Sequence, residues 1–151
     1  MKFGLFLLLL GGWAGVRPVL GQTSSSASPT FQHAAVCVQE LARSKTFYHT
    51  VLQLEEIPNP FNDGLHAWFS LGAGLQLHVI QHGCPPSNVK DNHLCLRVAS
   101  FSDFLAHLNK EGAAYSNLEG KSKQRTLRAD GVQQIYLQDP DGHWLEINDA
   151  R

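Results

Sequence analysis

The chain has 151 residues, of which 43% are hydrophobic, and its formal net charge is −1. This length supports one globular domain with a full core and is too short for two independent ones. Charged residues make up only 17% of the chain, with no acidic or basic block of the kind that binds nucleic acid or anionic membranes. We therefore expect a small-molecule partner.

The amino terminus predicts export. Lys2 precedes an apolar stretch from Phe3 to Leu10, and a weakly polar region follows as far as Gly21. This order is typical of a secretory signal peptide, and the apolar core is much shorter than the ~20 residues that a membrane span requires. We predict a signal peptide over residues 1–21 and a secreted or periplasmic protein with no membrane attachment after cleavage.

The next segment, residues 22–30, is Ser-rich and has no apolar periodicity, which predicts a linker before a domain over 31–151. The cysteines are Cys37, Cys84 and Cys95. Their odd number leaves at least one unpaired, or paired between chains, and we expect no disulfide framework. Cys37 and Cys95 are candidates for soft metal ligands or reactive thiols, but we interpret them as small packing residues.

Residues 31–83 have the pattern of a βαβββ unit. Alternating apolar residues over 31–38 predict a strand, and an apolar helical face follows. That face consists of Leu41, Phe47, Tyr48, Val51 and Leu52. Three β-rich runs come next, near 54–57, 65–71 and 74–81, before a Pro-containing segment ends the unit.

The same order returns over residues 91–149, so the chain contains a repeat of about 60 residues. A strand is predicted at 93–98, and a helix from about 102 to 110 with Ser100 at its start and Gly112 at its end. Further strands are predicted near 114–117, 132–138 and 143–148, the last two joined by a turn at Asp139-Pro140-Asp141-Gly142. The fold class is therefore α+β, with two βαβββ modules.

Matching positions of the two modules carry potential metal ligands. His33 and His93 each begin the first strand of a module, and Glu146 lies in the last strand. Two imidazoles and one carboxylate suit Zn, Mn, Fe or Ni. A carboxylate on a buried strand needs a cation or hydrogen-bond donors to stabilise its charge.

The fourth strand of the first module occupies the repeat position of the strand that carries Glu146. Its polar residues Gln76 and His78 are two apart on an otherwise apolar strand, so they share a face. We take Gln76 as a fourth ligand or a donor near the metal, with His78 as the alternative. The other histidines are interpreted as surface or structural residues: His49, His66, His82, His107 and His143.

Three aromatic residues are candidates for the pocket. Tyr136 lies on the strand before Glu146, across the predicted turn, so its hydroxyl either holds a substrate oxygen or satisfies a core hydrogen bond. Trp68 and Trp144 either line the pocket or pack in the core. We predict Glu146 and Tyr136 as catalytic residues and Trp68, Tyr136 and Trp144 as substrate-binding residues.

These motifs resemble the vicinal oxygen chelate superfamily, which contains glyoxalase, fosfomycin-resistance and bleomycin-resistance proteins. The opening pattern is present as His33, Glu40-Leu41, Ser44 and Phe47-Tyr48. The closing pattern, which is more specific, spans residues 136–146 (YLQDPDGHWLE). The resemblance extends from Phe31 to Asn148.

The resemblance implies a cup-shaped mixed sheet around a divalent metal held by His33, His93 and Glu146, often across a homodimer. Gln76 stands where glyoxalase-type members have a Glu, which disfavours glyoxalase activity if that carboxylate acts as the base. Ala35 stands where thiol-transferring fosfomycin-resistance proteins have a Thr. That departure disfavours thiol transfer.

The sequence thus predicts an exported metal-dependent enzyme, of the glyoxalase-like lyase/isomerase or dioxygenase class, acting on a small molecule with neighbouring oxygens. The metal acts as a Lewis acid on the developing oxyanion or enolate. The main alternative is a metal-free protein that binds and sequesters a small molecule, as bleomycin-resistance proteins do. A third hypothesis is an interaction module whose cup is filled by side chains.

Overall fold

The computed structural model describes residues 28–86 and 89–151. The predicted signal peptide and residues 22–27 of the predicted linker lie outside the described residues. By its contacts the chain divides into two units, Met1–Thr30 and Phe31–Arg151. The described helices and strands lie in the second unit. Within the described part of the chain, no helix is long and apolar enough to cross a membrane.

The first module forms the predicted βαβββ unit. Its elements are β1 (His33–Val38), α1 (Leu41–Thr46) continuing into a π-helical turn (Phe47–Val51), β2 (Glu56–Ile57), β3 (His66–Gly72) and β4 (Leu75–Gln81). The sheet order is β1-β4-β3-β2, with β1 parallel to β4 and the other pairs antiparallel. A parallel pair needs a crossover, which α1 begins.

The second module repeats this topology. Its elements are β5 (His93–Arg97), α2 (Phe101–Lys110), β6 (Thr126–Leu127), β7 (Gln133–Gln138) and β8 (Trp144–Asn148), in the sheet order β5-β8-β7-β6. The side chain of Ser100 accepts a hydrogen bond from the Asp103 amide at 3.4 Å, which confirms the predicted helix start. Gly112 follows the helix with a φ of +68°, a left-handed conformation that favours glycine.

The predicted strand near 114–117 is wrong. In this segment Ser116 alone forms isolated bridges, one to Ser122 and one to Tyr136, and the edge of the sheet is occupied by β6 instead. Tyr115 and Asn117 are both buried. Their alternation therefore arises from packing of a loop, which imitates the period of a strand.

The apolar faces of both sheets share one core. Leu77 and Val79 of β4 and Ile135 and Ile147 of the second sheet are all at most 1% exposed. Each fully buried side chain of this size contributes roughly 1.5–3 kcal/mol. The helices add Leu41, Tyr48, Phe104 and Leu108 to the same cluster. Since alternate strand residues point the other way, each sheet also has a second face, where its polar residues lie.

Cys37 and Cys84 form a disulfide, with Cα atoms 5.8 Å apart. The interpretation of Cys37 as a packing residue, with no disulfide framework, is therefore wrong. Forty-seven residues separate the two cysteines in sequence, so only the return of β4 alongside β1 brings them together. Cys95 is the free cysteine, consistent with the odd number.

Candidate metal and ligand site

The polar faces of the two sheets carry nearly all of the predicted site residues. On the first polar face, His33 is the register partner of Gln76, and Trp68 is that of His78. On the second polar face, Glu146 of β8 has Cys95 of β5 on one side and Tyr136 of β7 on the other. The first polar face is thus the polar side of the sheet β1-β4-β3-β2, and the second polar face is the polar side of the sheet β5-β8-β7-β6.

Glu146 is 6% exposed and receives hydrogen bonds on both carboxylate oxygens. The Tyr136 hydroxyl donates to Oε2 at 2.6 Å, and Oε1 accepts from Asn148 Nδ2 at 2.9 Å and Cys95 Sγ at 3.4 Å. Burial alone raises the pKa of Glu146, but these hydrogen bonds outweigh it and leave the pKa below its usual value. The carboxylate is thus ionised and satisfied within the chain.

His93 lies beside this carboxylate with one nitrogen directed towards it. Its Nδ1 bonds the main-chain oxygen of Lys90 at 2.9 Å, and its Nε2 is 3.5 Å from Glu146 Oε2. Donation from Nδ1–H leaves a lone pair on Nε2, the arrangement usual for a metal-binding histidine. Two donor atoms that share a metal at about 2.1 Å are themselves roughly 3.0–3.4 Å apart. The His93–Glu146 separation of 3.5 Å is just beyond this range, so a small side-chain shift would bring both atoms onto one divalent cation.

On the first polar face, His78 is stacked between two other rings. The ring centroids of His33 and Trp68 lie 4.2 Å and 4.1 Å from that of His78. Gln76 and His78 face the same side, and Gln76 Oε1 bonds His78 Nε2 at 2.9 Å. The indole Nε1 of Trp68 is buried and has no hydrogen-bond partner among the described residues.

The strand register distinguishes Gln76 from His78. Glu146 pairs with the third residue of β5 and with Tyr136, and His78 pairs in the same way with the third residue of β1 and with Trp68. Gln76 instead matches Trp144, since each is the partner of the first histidine of its module. The register therefore favours His78, the alternative, as the counterpart of Glu146. A slip of two residues keeps the same face, so side-chain alternation alone did not reveal it.

Within one chain these residues form two half-sites. Among the described residues, no group of three or more His, Cys, Asp or Glu side chains is placed to hold a metal ion. The first half contains His33, Gln76 and His78, and the second contains His93 and Glu146.

The remaining histidines have partners outside these half-sites or lie on the surface. His66 contacts Asp63 at 2.8 Å, and His107 bonds the main-chain oxygen of Thr50 at 2.9 Å. His49 and His82 are exposed. His143 contacts Asp139 at 2.9 Å. This bond raises the pKa of His143, against the opposing effect of burial.

Cys95, interpreted from the sequence as a packing residue, contacts Glu146, and Lys90, which the sequence did not single out, contacts Tyr136. Burial, with the nearby Glu146 charge, raises the pKa of the Cys95 thiol to about 11, so Cys95 is a hydrogen-bond donor and not a thiolate. Lys90 places its Nζ 4.3 Å from the ring centroid of Tyr136 and 5.0 Å from that of Trp144. Lys90 lies in a loop without a periodic pattern, so nothing in the sequence predicts its position beside Tyr136.

Tyr136 and Trp144 also line an open cavity of about 390 Å³, together with Tyr115 and Ser116. Burial, followed by its hydrogen bond to Glu146, raises the pKa of Tyr136, so its hydroxyl stays protonated. Tyr136 therefore does satisfy a hydrogen bond in the core while its ring remains beside open space. A cavity here is what a ligand-binding protein requires.

Comparison with known proteins agrees with this architecture. A model of the Glyoxalase/Bleomycin resistance protein/Dioxygenase superfamily matches residues 30–147, and the chain belongs to this superfamily. Glyoxylase I 4 of Arabidopsis thaliana is 26% identical over 131 residues, spanning 78% of this chain and 69% of the plant protein. The predicted superfamily is thereby confirmed.

Solved structures show the same fold. Oxidase ChaP-H2 superposes with a TM-score of 0.67 at 20% identity, over 82% of this chain and 95% of its own. The fosfomycin resistance protein FosX of Listeria monocytogenes gives a TM-score of 0.64 at 20% identity, with coverages of 82% and 95%. These likenesses confirm the predicted α+β fold of two βαβββ modules.

Proposed function

We propose that this protein is a metal-dependent enzyme, of the glyoxalase-like lyase/isomerase or dioxygenase class, that acts on a small molecule with neighbouring oxygens. The observation that carries the proposal is the pair formed by His93 Nε2 and Glu146 Oε2, 3.5 Å apart. Lys90 holds the opposite nitrogen of His93 through its main-chain oxygen, so Nε2 is free to bind a metal.

The complete site combines the two half-sites from two chains of a homodimer. His33 and His78, with Gln76 beside them, supply the first half, and His93 and Glu146 of the second chain supply the other. Two observations support this arrangement: the described residues of one chain assemble no metal group, and each half lies on a different sheet. A twofold dimer of this kind contains two equivalent sites.

The donor set of imidazoles and one carboxylate suits Zn, Mn, Fe or Ni. When bound, such a cation polarises two neighbouring substrate oxygens as a Lewis acid. The chain itself orients the site: Tyr136 and Asn148 hold the Glu146 carboxylate. Trp68 and Trp144 are proposed as walls of the substrate pocket, where Trp68 Nε1 has a hydrogen to donate.

Metal content tests the site. We expect near-stoichiometric metal in the purified protein by elemental mass spectrometry, and its loss in His93→Ala and in Glu146→Ala. His107→Ala is the matched control, because this half-buried histidine bonds Thr50 and Gln53 and, among the described residues, no member of either half-site. Equal metal content in all four proteins, or no metal after reconstitution, contradicts the proposal.

Mixing two inactive variants tests the shared site. His33→Ala damages the first half and His93→Ala the second, so only a mixed dimer holds one intact site. After co-refolding at equal amounts, random pairing restores metal to about one quarter of the chains. If mixing restores no metal, each site lies within one chain and the two-chain arrangement is wrong.

A second candidate is a metal-free protein that binds and sequesters a small molecule. The specific observation in its favour is that Tyr136, Asn148 and Cys95 already satisfy the Glu146 carboxylate. No cation is then needed to offset burial of this charge. Ligand binding that is identical with and without added metal supports this candidate over the enzyme.

We also propose that the chain is exported after removal of residues 1–21. The disulfide between Cys37 and Cys84 supports this location, because such bonds persist in oxidising compartments. Amino-terminal sequencing of protein recovered from the periplasm or medium checks it, with Gln22 expected as the first residue. Recovery only inside the cytoplasm with residue 1 intact argues against export.

A further inference from the structure

Lys90 places a positive charge at the edge of the second polar face. Its Nζ lies over the rings of Tyr136 and Trp144, 4.3 Å and 5.0 Å from their centroids. The ring of His93 packs edge-on against the same tyrosine, with centroids 5.6 Å apart. Lys90, His93 and Glu146 therefore all contact Tyr136.

This ammonium group has no carboxylate partner in the described part of the chain. Its hydrogen bonds go to the main-chain oxygens of Asn117 at 3.2 Å and Leu118 at 2.8 Å. Among the described residues, no Asp or Glu oxygen lies within 4.0 Å of Lys90 Nζ. An ammonium donates three hydrogen bonds, so one donor remains beside these two.

Negative charge is scarce on both polar faces. The register places one carboxylate there, Glu146, together with the Arg97 guanidinium and with histidine, glutamine, asparagine, cysteine and aromatic side chains. A divalent cation beside this single carboxylate leaves one excess positive charge, and Lys90 adds another. In a partly enclosed site, such an excess favours an anionic ligand.

We propose that Lys90 selects the substrate by its charge, and that the substrate is a small carboxylate with a second oxygen on the neighbouring carbon, such as a 2-hydroxy or 2-oxo acid. This inference rests on the proposed function: the neighbouring oxygens meet the metal, and Lys90 donates to the carboxylate. Lys90 is thus a specificity-determining residue. A charge-assisted hydrogen bond of this kind corresponds to an affinity change of about ten-fold or more.

Lys90 also tethers its loop to residues 117–118, and this structural role must be separated from selection. Lys90→Arg keeps the charge and the donors, whereas Lys90→Gln removes the charge. Lys121→Gln is the matched control, because Lys121 is an exposed lysine on the neighbouring loop whose side chain makes no hydrogen bond or ion pair with the residues that the structure describes.

The test compares lactate with its neutral isostere 3-hydroxybutan-2-one, by ligand-observed NMR on metal-loaded and on metal-free protein. We expect the wild type, Lys90→Arg and Lys121→Gln to prefer lactate by about ten-fold or more. Lys90→Gln should reduce this preference by about ten-fold in the metal-loaded protein and abolish it in the metal-free protein, while it binds the neutral ligand unchanged. If Lys90→Gln weakens the binding of both ligands equally, Lys90 acts only through its hydrogen bonds to residues 117–118, and the proposal is wrong.

The outcome is distinguishable from failure of the proposed function. If elemental analysis finds no metal, the proposed metal-dependent enzyme function is wrong. The preference for lactate and its dependence on Lys90 are then still measured on the metal-free protein. If metal is bound but the wild type does not distinguish the two ligands, the inference about Lys90 is wrong and the metal site stands. Absence of binding by either ligand in both states also overturns it.

Discussion

Around Glu146, single hydrogen bonds determine the charge state of the site. The carboxylate is buried on a strand, where burial favours the neutral acid, and it stays ionised because three side chains donate to it. Cys95 and Tyr136 serve as donors because the same burial keeps both of them protonated. The neighbours of Glu146 thus keep it ionised, as the proposed metal site requires.

Tyr136→Phe should raise the pKa of Glu146 and lower the free energy of unfolding of the metal-free protein by about 1–3 kcal/mol at neutral pH, because a buried acceptor loses its donor. The folded pKa of Glu146 is lowered, so its contribution to stability is present above the unfolded value of about 4.3 and is lost as pH falls through the folded value. The deficit of the variant should therefore shrink in acid. Urea denaturation at several pH values between about 3 and 7 measures this difference in the free energy of unfolding.

Tyr115→Phe is the control for this variant, since Tyr115 is buried to a similar degree and its hydroxyl makes no hydrogen bond to the described residues. Equal, pH-independent losses in both variants would mean that the hydroxyl of Tyr136 does not act on Glu146.

Some residues of the candidate site could be predicted from the sequence and others could not. His33, His93 and Glu146 were identified because a repeat places like residues at like positions. His78 and Gln76 were both identified, but their relative register was not, because a strand of period two looks the same after a slip of two residues. Lys90 and Cys95 were missed as members of the site, since their proximity to Tyr136 and Glu146 depends on chain segments distant in sequence.

Between elements, the turn at residues 139–142 is more than a connection from β7 to β8. Asp139 accepts hydrogen bonds from the Tyr48 hydroxyl at 2.8 Å and from the amides of Asp141 and His143. Asp141 forms an ion pair with Arg43 of α1 at 2.7 Å. These contacts attach the turn of the second module to the helix of the first. The sequence predicted the turn but contained no sign of its partners.

His143 should make the stability of the domain depend on pH. Its folded pKa is raised by Asp139, so its contribution is full below the unfolded value of about 6.5 and is lost as pH rises through the folded value. The pKa of Asp139 is lowered, since its hydrogen bonds outweigh burial, and that contribution is lost in acid. Thermal or urea unfolding from about pH 5.5 to 9, a window of roughly 3.5 units, should show a loss of stability on the order of 1 kcal/mol.

In His143→Gln this alkaline loss should disappear, whereas His82→Gln should retain it, because His82 is exposed and its side chain makes no hydrogen bond within residues 28–86 and 89–151. An identical pH profile in wild type and His143→Gln would show that the bond to Asp139 does not couple to folding.

The disulfide joins β1 to the segment that follows β4. Replacement of both cysteines by serine, or reduction, should lower the free energy of unfolding by about 2–4 kcal/mol, as expected for a closed loop of this size. Denaturation with and without dithiothreitol measures the effect. Cys95→Ser should remain sensitive to dithiothreitol, and equal stability of oxidised and reduced wild type would contradict the prediction.

At the scale of the whole molecule, the proposed site depends on assembly. A metal shared between two chains binds the dimer and not the monomer, so by linkage each stabilises the other. We expect added metal to shift sedimentation velocity profiles towards the dimer, and metal affinity to rise with protein concentration. Glu146→Ala should dimerise without this response to metal. A metal affinity independent of concentration below the dimer dissociation constant would contradict a shared site.

By itself the sequence determined the superfamily, the two modules, the strands that carry the site and the face on which each candidate lies. These features follow from local periodicity and from the repeat, which neighbouring residues express directly. Tertiary structure alone decided the disulfide, the position of β6, the contacts of the 139–142 turn, the register of His78 and the place of Lys90. Each of these depends on which distant segments become neighbours, and that is settled only when both sheets bury their apolar faces in one core.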